Sequence, residues 1–244
     1  MTALGGRNRK GAPQAAHPET HRSGRAPWLR AAVLGSDDAI VSTSSLMIGI
    51  AASSASPAAI LVGGVAGLVA GAMSMAVGEY VSVSSQRDAE YADIDRETRE
   101  LARQPQAELD ELTAIYVKRG LDPELARRVA EQLTAHDRLG THLRDELGID
   151  PAALARPLQA AWISAVSFAV FAAMPIVALL VAPAVARIPA IAAISLASLA
   201  ALGALGGHLG GAPRARAALR VTVGGALAMT VTAAIGMLFD ISAG

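Results

Sequence analysis

The fold of this chain is decided by the stretch Gly71-Ala-Met-Ser-Met75-Ala-Val-Gly-Glu79-Tyr-Val-Ser-Val-Ser-Ser-Gln-Arg-Asp88. It begins with small, apolar residues typical of membrane helices and ends in charged residues that require water. No proline interrupts the chain between Ala58 and Gln104. The pattern therefore predicts one continuous helix that leaves a bilayer and continues into the aqueous phase.

Met75 and Glu79 lie one helical turn apart in this stretch, so their side chains share a face of the helix. A thioether and a carboxylate on one face near a membrane surface favour a metal ion over an organic substrate. A carboxylate at membrane depth is costly and indicates a functional site. The pattern therefore predicts a functional metal site that includes both residues.

The composition is that of a membrane protein. The 244 residues are 52% hydrophobic and 17% charged, with a mean hydropathy of +0.40, which is too apolar for an ordinary soluble domain. The net charge of zero gives no basis for nucleic-acid binding. The absence of cysteine excludes disulfides, thiolate metal sites and cysteine nucleophiles.

The hydropathy pattern predicts an all-α membrane protein with five transmembrane helices, since each span needs about 20 mostly apolar residues. The first two helices occupy residues 28–86, and the last three occupy residues 157–240. Residues 87–156 form a polar insert with 16 of the 21 acidic residues, which we predict to be a small helical metal-binding domain. Residues 1–27 lack an apolar core, so we predict a disordered tail and not a signal peptide.

The loop charges predict the orientation of the chain. The tail and the loop between the fourth and fifth helices are rich in arginine, whereas the loops on the opposite side offer only Arg187. Because positive charge accumulates on the cytoplasmic side, the tail and the insert are predicted to be cytoplasmic. Five spans then place the C-terminus outside.

Four glutamates of the insert form two pairs with a spacing of three: Glu97, Glu100, Glu108 and Glu111. Each pair lies on one helical face, and antiparallel packing of the two helices would bring all four carboxylates together. Such a cluster is repulsive without a cation, and hard oxygen ligands suit Fe(II) and Mn(II). The alternative is a solvated charged face, because arginines are interleaved at positions 96, 99 and 103.

A second pair in the insert combines an imidazole with a carboxylate. His142 and Glu146 are four residues apart and share a helical face, and this pair suits Fe(II), Mn(II) or Zn(II).

The chain has no Walker loop, which argues against an ATP-driven pump. It also lacks the Glu-x-x-His pattern of di-iron bundles, which argues against an oxidase enzyme.

Two features of the membrane helices leave alternatives open. Asp37 and Asp38 are adjacent and cannot share a face, so at most one points inward; either they cap the helix at the interface or one forms a metal or proton site. Glycines recur every four residues at positions 63, 67 and 71. This spacing permits close helix approach, either within one subunit or between two.

Taken together, these residues resemble the vacuolar iron transporter family in its bacterial form. Two motifs are the most specific parts of the match: Leu34-Gly-Ser-Asp-Asp38-Ala-Ile-Val-Ser-Thr-Ser-Ser-Leu46 and Ala70-Gly-Ala-Met-Ser-Met75-Ala-Val-Gly-Glu79-Tyr80. The resemblance extends from Trp28 to Phe239. The order of two helices, an acidic insert and three helices also fits.

The resemblance implies a homodimeric, multi-pass carrier of the cell membrane that moves Fe(II), and often Mn(II), out of the cytosol in exchange for protons. It places Asp38, Met75 and Glu79 on the transport pathway. Its metal-binding glutamates map onto Glu97, Glu100, Glu108, Glu111 and Glu146. Where plant members have two methionines before the last of these glutamates, this chain has His142 and Leu143. The resemblance therefore implies that His142 takes the place of a thioether ligand and that the softer ligand set is lost.

The partners implied are the bilayer, divalent metal ions, protons and a second copy of the chain. No cofactor is expected beyond the transported ion. The alternative function is a membrane-anchored metal-binding or sensing protein that does not transport. It predicts that Asp38 can be replaced without consequence.

Overall fold

The computed structural model describes residues 27–239, with side chains from residue 31 onward. The predicted tail, residues 1–27, lies outside this part of the chain except for its last residue. Within the described residues the fold is entirely helical. The seven α-helices there are α1 (Pro27–Ala52), α2 (Pro57–Arg103), α3 (Pro105–Lys118), α4 (Pro123–Asp145), α5 (Pro157–Val181), α6 (Arg187–Gly210) and α7 (Arg214–Leu238).

Helix α2 is continuous over 47 residues, which confirms the prediction made from its sequence. The Ser56 side chain caps its N-terminus by accepting a hydrogen bond from the backbone N–H of Ala59, and Pro57 occupies the first turn, where its missing N–H is harmless. Pro105 enforces the end, because the residue before a proline avoids helical geometry. One rod therefore joins the apolar bundle to the polar insert.

Four helical segments are long and apolar enough to cross a membrane: Pro57–Arg103, Pro151–Val181, Ala184–Gly210 and Arg214–Leu238. Helix α1 is not among them, although it is predicted to be the first span. Asp37, Asp38 and the hydroxyl residues that follow lower its hydropathy. Nevertheless α1 lies at the centre of the bundle, where it contacts α2, α5, α6 and α7.

The glycine repeat of α2 packs within the subunit. A Cβ atom added at Gly63 would lie 2.3 Å from Ile50, and one added at Gly67 would lie 2.9 Å from Leu46. At Gly71 it would lie 2.1 Å from the ring of Phe168. Of the two readings of this repeat, these contacts support packing of α2 against α1 and α5.

The insert has a small core of its own between α3 and α4. Leu112, Tyr116, Ala126 and Ala130 are buried there, and both helices also contact the polar end of α2. The sequence pattern predicts one helix of the insert up to about Thr134 and a last helix from Asp137 to Leu147. The structure confirms a break at this point, because Asp137 leaves helical geometry and divides α4 into two helical segments at a kink.

One predicted boundary in the last three helices is wrong. The sequence pattern predicts a turn at residues 187–189, but these residues form the first turn of α6, a position where a proline is tolerated. The sequence also places the third span at about residues 158–185 and predicts that Pro183 kinks or ends it, and α5 ends at Val181. The early end follows from Pro183, which disfavours helical geometry at the residue before it.

Gly236 on α7 lies close to the backbone of α1, and its replacement by alanine is expected to destabilise the bundle. An added Cβ would lie 2.0 Å from the backbone oxygen of Gly49, and overpacking of this kind costs about 1–3 kcal/mol. Gly224 on the same helix has nothing within 4 Å, so Gly224→Ala should gain about 0.5–1 kcal/mol of helix propensity. Thermal unfolding in detergent should rank Gly224→Ala above the unmodified protein and Gly236→Ala below it. Equal midpoints for the two variants would contradict the close contact.

Candidate metal centre

The insert brings four metal-ligating side chains together. Glu97 from α2, Glu108 from α3, and His142 and Glu146 from the end of α4 each offer one ligand atom, and these atoms all lie within 4.8 Å of one another. Glu97 is 2% exposed, Glu108 8% and His142 0%. Three helices thus converge on one buried cluster of three carboxylates and an imidazole.

The kink in α4 aims the last two ligands at this cluster. The Asp137 carboxylate accepts a hydrogen bond from the backbone N–H of Gly140 at 3.0 Å, and the Thr141 hydroxyl donates to the backbone oxygen of Asp137 at 2.6 Å. Asp137 therefore caps a new helical segment in mid-helix. This segment carries His142 and Glu146 on one face.

Hydrogen bonds within the protein do not give every polar atom of the cluster a partner. His142 Nδ1 lies 2.9 Å from Glu146 Oε2 and 3.0 Å from Glu97 Oε1. One ring nitrogen carries at most one proton, so it donates to one carboxylate only. Among the described residues, Glu97 Oε1 and His142 Nε2 have no hydrogen-bond partner, and buried polar atoms without partners are costly.

A divalent cation bound in the cluster would give the unpartnered polar atoms an ion to coordinate. Ligand atoms each about 2.0–2.2 Å from one ion lie about 3 Å apart, which matches the spacing around His142 Nδ1. The donor set of carboxylate oxygens and an imidazole nitrogen suits Fe(II), Mn(II) and Zn(II). The residues present therefore fit a divalent transition-metal ion.

The electrostatics of the cluster also favour a cation. Burial, reinforced by the neighbouring Glu146 carboxylate, raises the pKa of Glu97 to about 7. The pKa of Glu108 is likewise raised by burial and then by the charge of Glu111. The carboxylates therefore ionise reluctantly near one another, and a positive ion would relieve their repulsion.

The remaining predicted ligands of the insert line the same pocket of about 200 Å³. Its lining residues are Asp93, Arg96, Glu97, Glu100, Glu108, Glu111, Glu146 and Leu147. Glu100 is paired with the Arg96 guanidinium at 3.1 Å, and Glu111 lies outside the group of four. The structure thus gathers all five predicted glutamates but separates an inner cluster from two residues at its mouth.

Next to the cluster, an ion pair and two further hydrogen bonds join α3 to the end of α4. The Asp145 carboxylate accepts hydrogen bonds from Tyr116 Oη at 2.8 Å and from Arg119 Nη1 at 2.6 Å. Arg119 Nη2 also donates to the backbone oxygen of Asp145 at 2.7 Å. Because Asp145 precedes Glu146, these bonds hold the ligand-bearing end of α4 against α3.

We expect Asp145→Ala to weaken Mn(II) binding by the full-length protein about tenfold, because loss of a residue that orients a ligand typically costs 10- to 100-fold in affinity. Asp110→Ala is the matched control. Asp110 pairs with Arg127, also between α3 and α4, but its side chain does not line the pocket. Titration of free Mn(II) by electron paramagnetic resonance measures both variants. Equal losses would indicate that Asp145 only stabilises the insert.

A second pocket, of about 170 Å³, lies among α1, α2 and α5. Its lining residues are Asp38, Ser42, Thr43, Leu46, Gly67, Gly71, Ser74, Met75 and Phe168. Asp38 and Met75, predicted from separate motifs, therefore share one pocket. Neither Asp37 nor Glu79 is among its lining residues.

The membrane pocket and the metal-ligand cluster of the insert both include residues of helix α2. Met75 and Glu97 both belong to α2 and are 22 positions apart in the sequence, which corresponds to about 33 Å along the helix axis. One ion cannot contact both sites at once. The two candidate sites are therefore separate.

Sequence reasoning did not identify several residues that shape these sites. Phe168 reaches the membrane pocket from α5, and no local pattern indicates that it faces Gly71. Asp145 gave no signal either, since its partners lie on another helix. The sequence pattern does start the last helix of the insert at Asp137, but it does not show that this residue's carboxylate caps the segment by accepting from Gly140.

The structure thus combines helices long and apolar enough to cross a membrane with a buried carboxylate and imidazole cluster that could hold a metal ion. A family model described as the VIT family matches residues 29–237. The chain therefore belongs to the VIT family, whose members are transporters and not enzymes. Family and site together define a membrane metal transporter.

Curated relatives support the same assignment and confirm the resemblance. The chain is 46% identical over 228 residues to a vacuolar iron transporter of Acanthamoeba castellanii, which covers 91% of this chain and 83% of the relative. It is 39% identical over 216 residues to vacuolar iron transporter homolog 1 of Oryza sativa subsp. japonica, covering 88% and 75%. It is 34% identical over 220 residues to VIT-like transporter 1b of Glycine max, covering 90% and 79%.

Proposed function

We propose that this protein moves Fe(II) out of the cytosol in exchange for protons, with Mn(II) as the other divalent cargo. The observation that carries the proposal is the pairing of two candidate ion sites on one helix. The cluster around His142 supplies a collection site in the insert, and the pocket of Asp38 and Met75 supplies a site within the bundle. The names of the relatives support iron as the cargo.

In the proposed topology the protein crosses the cell membrane five times. The N-terminus and the insert lie in the cytoplasm. The central position of α1 among four apolar helices supports its role as a span. The loop between the last two helices is predicted to carry arginines but contains none, since positions 214, 216 and 220 lie in the first turns of α7. Their place at this end of the helix still supports the orientation. The collection site then faces the cytosol, where the cargo is loaded.

We propose further that the protein works as a homodimer. Asp38 is exposed on the surface of the single subunit, and an exposed carboxylate at membrane depth is costly. Helix α2 also presents an uncovered apolar face, with Val62, Val69 and Met73 more than half exposed. A second copy would cover both features and place the ion pathway near the dimer axis.

The proposed coupling lies in competition at Asp38. A carboxyl group does not favourably hold a proton and a divalent cation together, so release of the cation on one side allows a proton to bind in its place. Met75 adds a thioether, which favours a softer transition-metal ion over Mg²⁺ or Ca²⁺. The role of Glu79, one turn further along α2, is to accept the ion or the proton on the insert side of this pocket.

Fe(II) flux in proteoliposomes under an imposed pH gradient tests the proposal. Flux should follow the direction of the gradient and fall when the gradient is collapsed by a proton ionophore. Mn(II) in excess should compete with it. Flux that ignores the gradient would contradict proton coupling, and Fe(II) binding without any flux would favour the sensing alternative.

A further inference from the structure

The end of the bundle opposite the insert carries a single charged side chain among the described residues. The segments that form this end are residues 46–61, 172–197 and 229–239, and Arg187 is the only ionisable residue within them. Arg187 is the first residue of α6, whose first turn contains no acidic residue. Because the start of a helix is the positive end of its dipole, a cation there is unfavourable unless an anion accompanies it.

The guanidinium of Arg187 is not fully hydrogen-bonded within the protein. Its Nε atom is buried, and no described residue accepts a hydrogen bond from it. A buried N–H group without an acceptor is costly, because it has lost its hydrogen bonds to water without replacing them. An acceptor from outside the described residues would remove this cost.

An apolar groove includes this arginine in its wall. The groove has a volume of about 190 Å³ and lies where the start of α2, the end of α5 and the start of α6 meet, with Pro57, Ala58, Leu61, Leu179, Leu180 and Arg187 as lining residues. Leu179 is 3% exposed, whereas Leu180 is 63% exposed. The groove therefore reaches from the core of the bundle to its outer surface, where a lipid chain can enter from the side.

The chemistry of the groove matches an anionic phospholipid. Phosphate oxygens accept hydrogen bonds from a guanidinium in a geometry that arginine favours, and an acyl chain is apolar like the other five lining residues. The ammonium group of a zwitterionic lipid would find no carboxylate, because the described segments at this end contain no acidic residue. A headgroup with a phosphate and no ammonium, such as phosphatidylglycerol, is therefore complementary in charge.

We propose that Arg187 and this groove form a binding site for an anionic phospholipid of the leaflet opposite the insert. The guanidinium holds the phosphate, and an acyl chain lies against Leu61 and Leu179. A lipid in this position contacts α2, α5 and α6 together. The site is independent of the transported ion and of the transport function itself.

Quenching of tryptophan fluorescence by brominated phospholipids tests the site in the full-length protein. Trp28 and Trp162, the two tryptophans of the chain, are replaced by phenylalanine, and Leu180→Trp then places a reporter in the groove. Mixtures of brominated phosphatidylglycerol with unbrominated phosphatidylcholine give the relative binding constant of the two lipids at this reporter. Phosphatidylglycerol should be favoured about fivefold, the factor that one arginine near a membrane surface contributes for an anionic lipid.

Leu227→Trp in the same background is the matched reporter. Leu227 on α7 is 64% exposed, close to the value for Leu180, and does not line the groove. This reporter should show no preference between the two lipids. Equal preferences at the two positions would indicate a general attraction of anionic lipid to the protein and would overturn the proposal.

Substitution of Arg187 itself tests the role of the guanidinium. Combined with the Leu180→Trp reporter, Arg187→Gln should abolish the preference for phosphatidylglycerol. Arg187→Lys should retain part of it, because lysine keeps the charge but lacks the planar fork of donors. Mn(II) binding by the insert, measured on the same preparations, shows whether each variant is folded. An unchanged preference in Arg187→Gln would contradict the site.

An anion supplied by the chain itself is the competing explanation. Asp240 lies just beyond the described residues and is the nearest acidic residue in sequence to the end of α7. If Asp240 occupied the guanidinium, the reporter at position 180 would show no lipid preference until Asp240→Asn was introduced, and the proposal would be wrong. A preference that is present beforehand and is unchanged by Asp240→Asn supports the lipid site.

Discussion

Replacement of Asp38 by alanine is expected to lower Fe(II) flux in proteoliposomes by roughly 100-fold or more. Asp38 lines the pocket that it shares with Met75, and no other acidic side chain among the described residues lines that pocket. A divalent cation deprived of its carboxylate partner in a low-dielectric setting loses about 3–5 kcal/mol. Since each 1.4 kcal/mol corresponds to tenfold, the loss should exceed two orders of magnitude.

Asp37→Ala is the matched control for this experiment. The two aspartates are adjacent on α1, yet Asp37 does not line the pocket. Its replacement removes the same charge at nearly the same depth, so a general electrostatic effect would reduce flux in both variants. Retained flux in Asp37→Ala and its loss in Asp38→Ala would assign the site to Asp38. Unchanged flux in Asp38→Ala would contradict the proposed coupling.

The second large effect is expected at the collection site. Glu97→Gln should weaken Mn(II) binding by the full-length protein about 100-fold, because it removes a buried anionic ligand without changing the shape of the side chain. Glu131→Gln on the outer face of α4 is the matched control, since Glu131 pairs with Arg127 and does not line the pocket. Equal affinities of the two variants would exclude Glu97 as a ligand.

The same site should bind metal in a pH-dependent manner. Burial raises the pKa of Glu97 to about 7, so below pH 7 the cation must displace a proton from this carboxyl. The affinity for Mn(II) should therefore fall about tenfold for each pH unit below 7. In Glu97→Gln this component of the pH dependence should be absent.

The linkage to stability has a definite sign. The pKa of Glu97 in the folded protein lies above its ordinary value of 4.5, so the folded state binds the proton more tightly than the unfolded state does. Its contribution to stability is present below pH 4.5 and is lost as the pH rises through 7. The midpoint of thermal unfolding of the metal-free protein should therefore fall as the pH rises through 7. Saturating Mn(II) should raise this midpoint again above pH 7, because the ion binds the folded state.

Several parts of the fold and the site followed from local pattern. The absence of proline from residues 58–104 was enough to predict α2 as a single rod, because helix continuity depends on local backbone chemistry. The spacing of Glu97 with Glu100 and of His142 with Glu146 was enough to place each pair on one face. The motifs around Asp38 and Met75 were enough to identify the family.

Contacts between helices could not be predicted in this way. Periodicity defines the face of one helix, but the partner of that face depends on how whole helices pack and where they bend. The cap at Asp137 turns the end of α4 so that His142 meets Glu97, which is 45 positions earlier in the sequence. Packing likewise brings Phe168 against Gly71 and leaves Glu79 out of the membrane pocket.

The sequence by itself therefore determined the class of the protein, its continuous central helix and the residue types at both candidate sites, because each of these depends on chemistry within one or two turns of helix. Only the tertiary structure decided which ligands form the inner cluster, how Asp145 holds the end of α4 against α3, and how Phe168 comes to line the membrane pocket. These features arise where two or more helices meet. Their geometry is fixed by close packing among residues far apart in the chain.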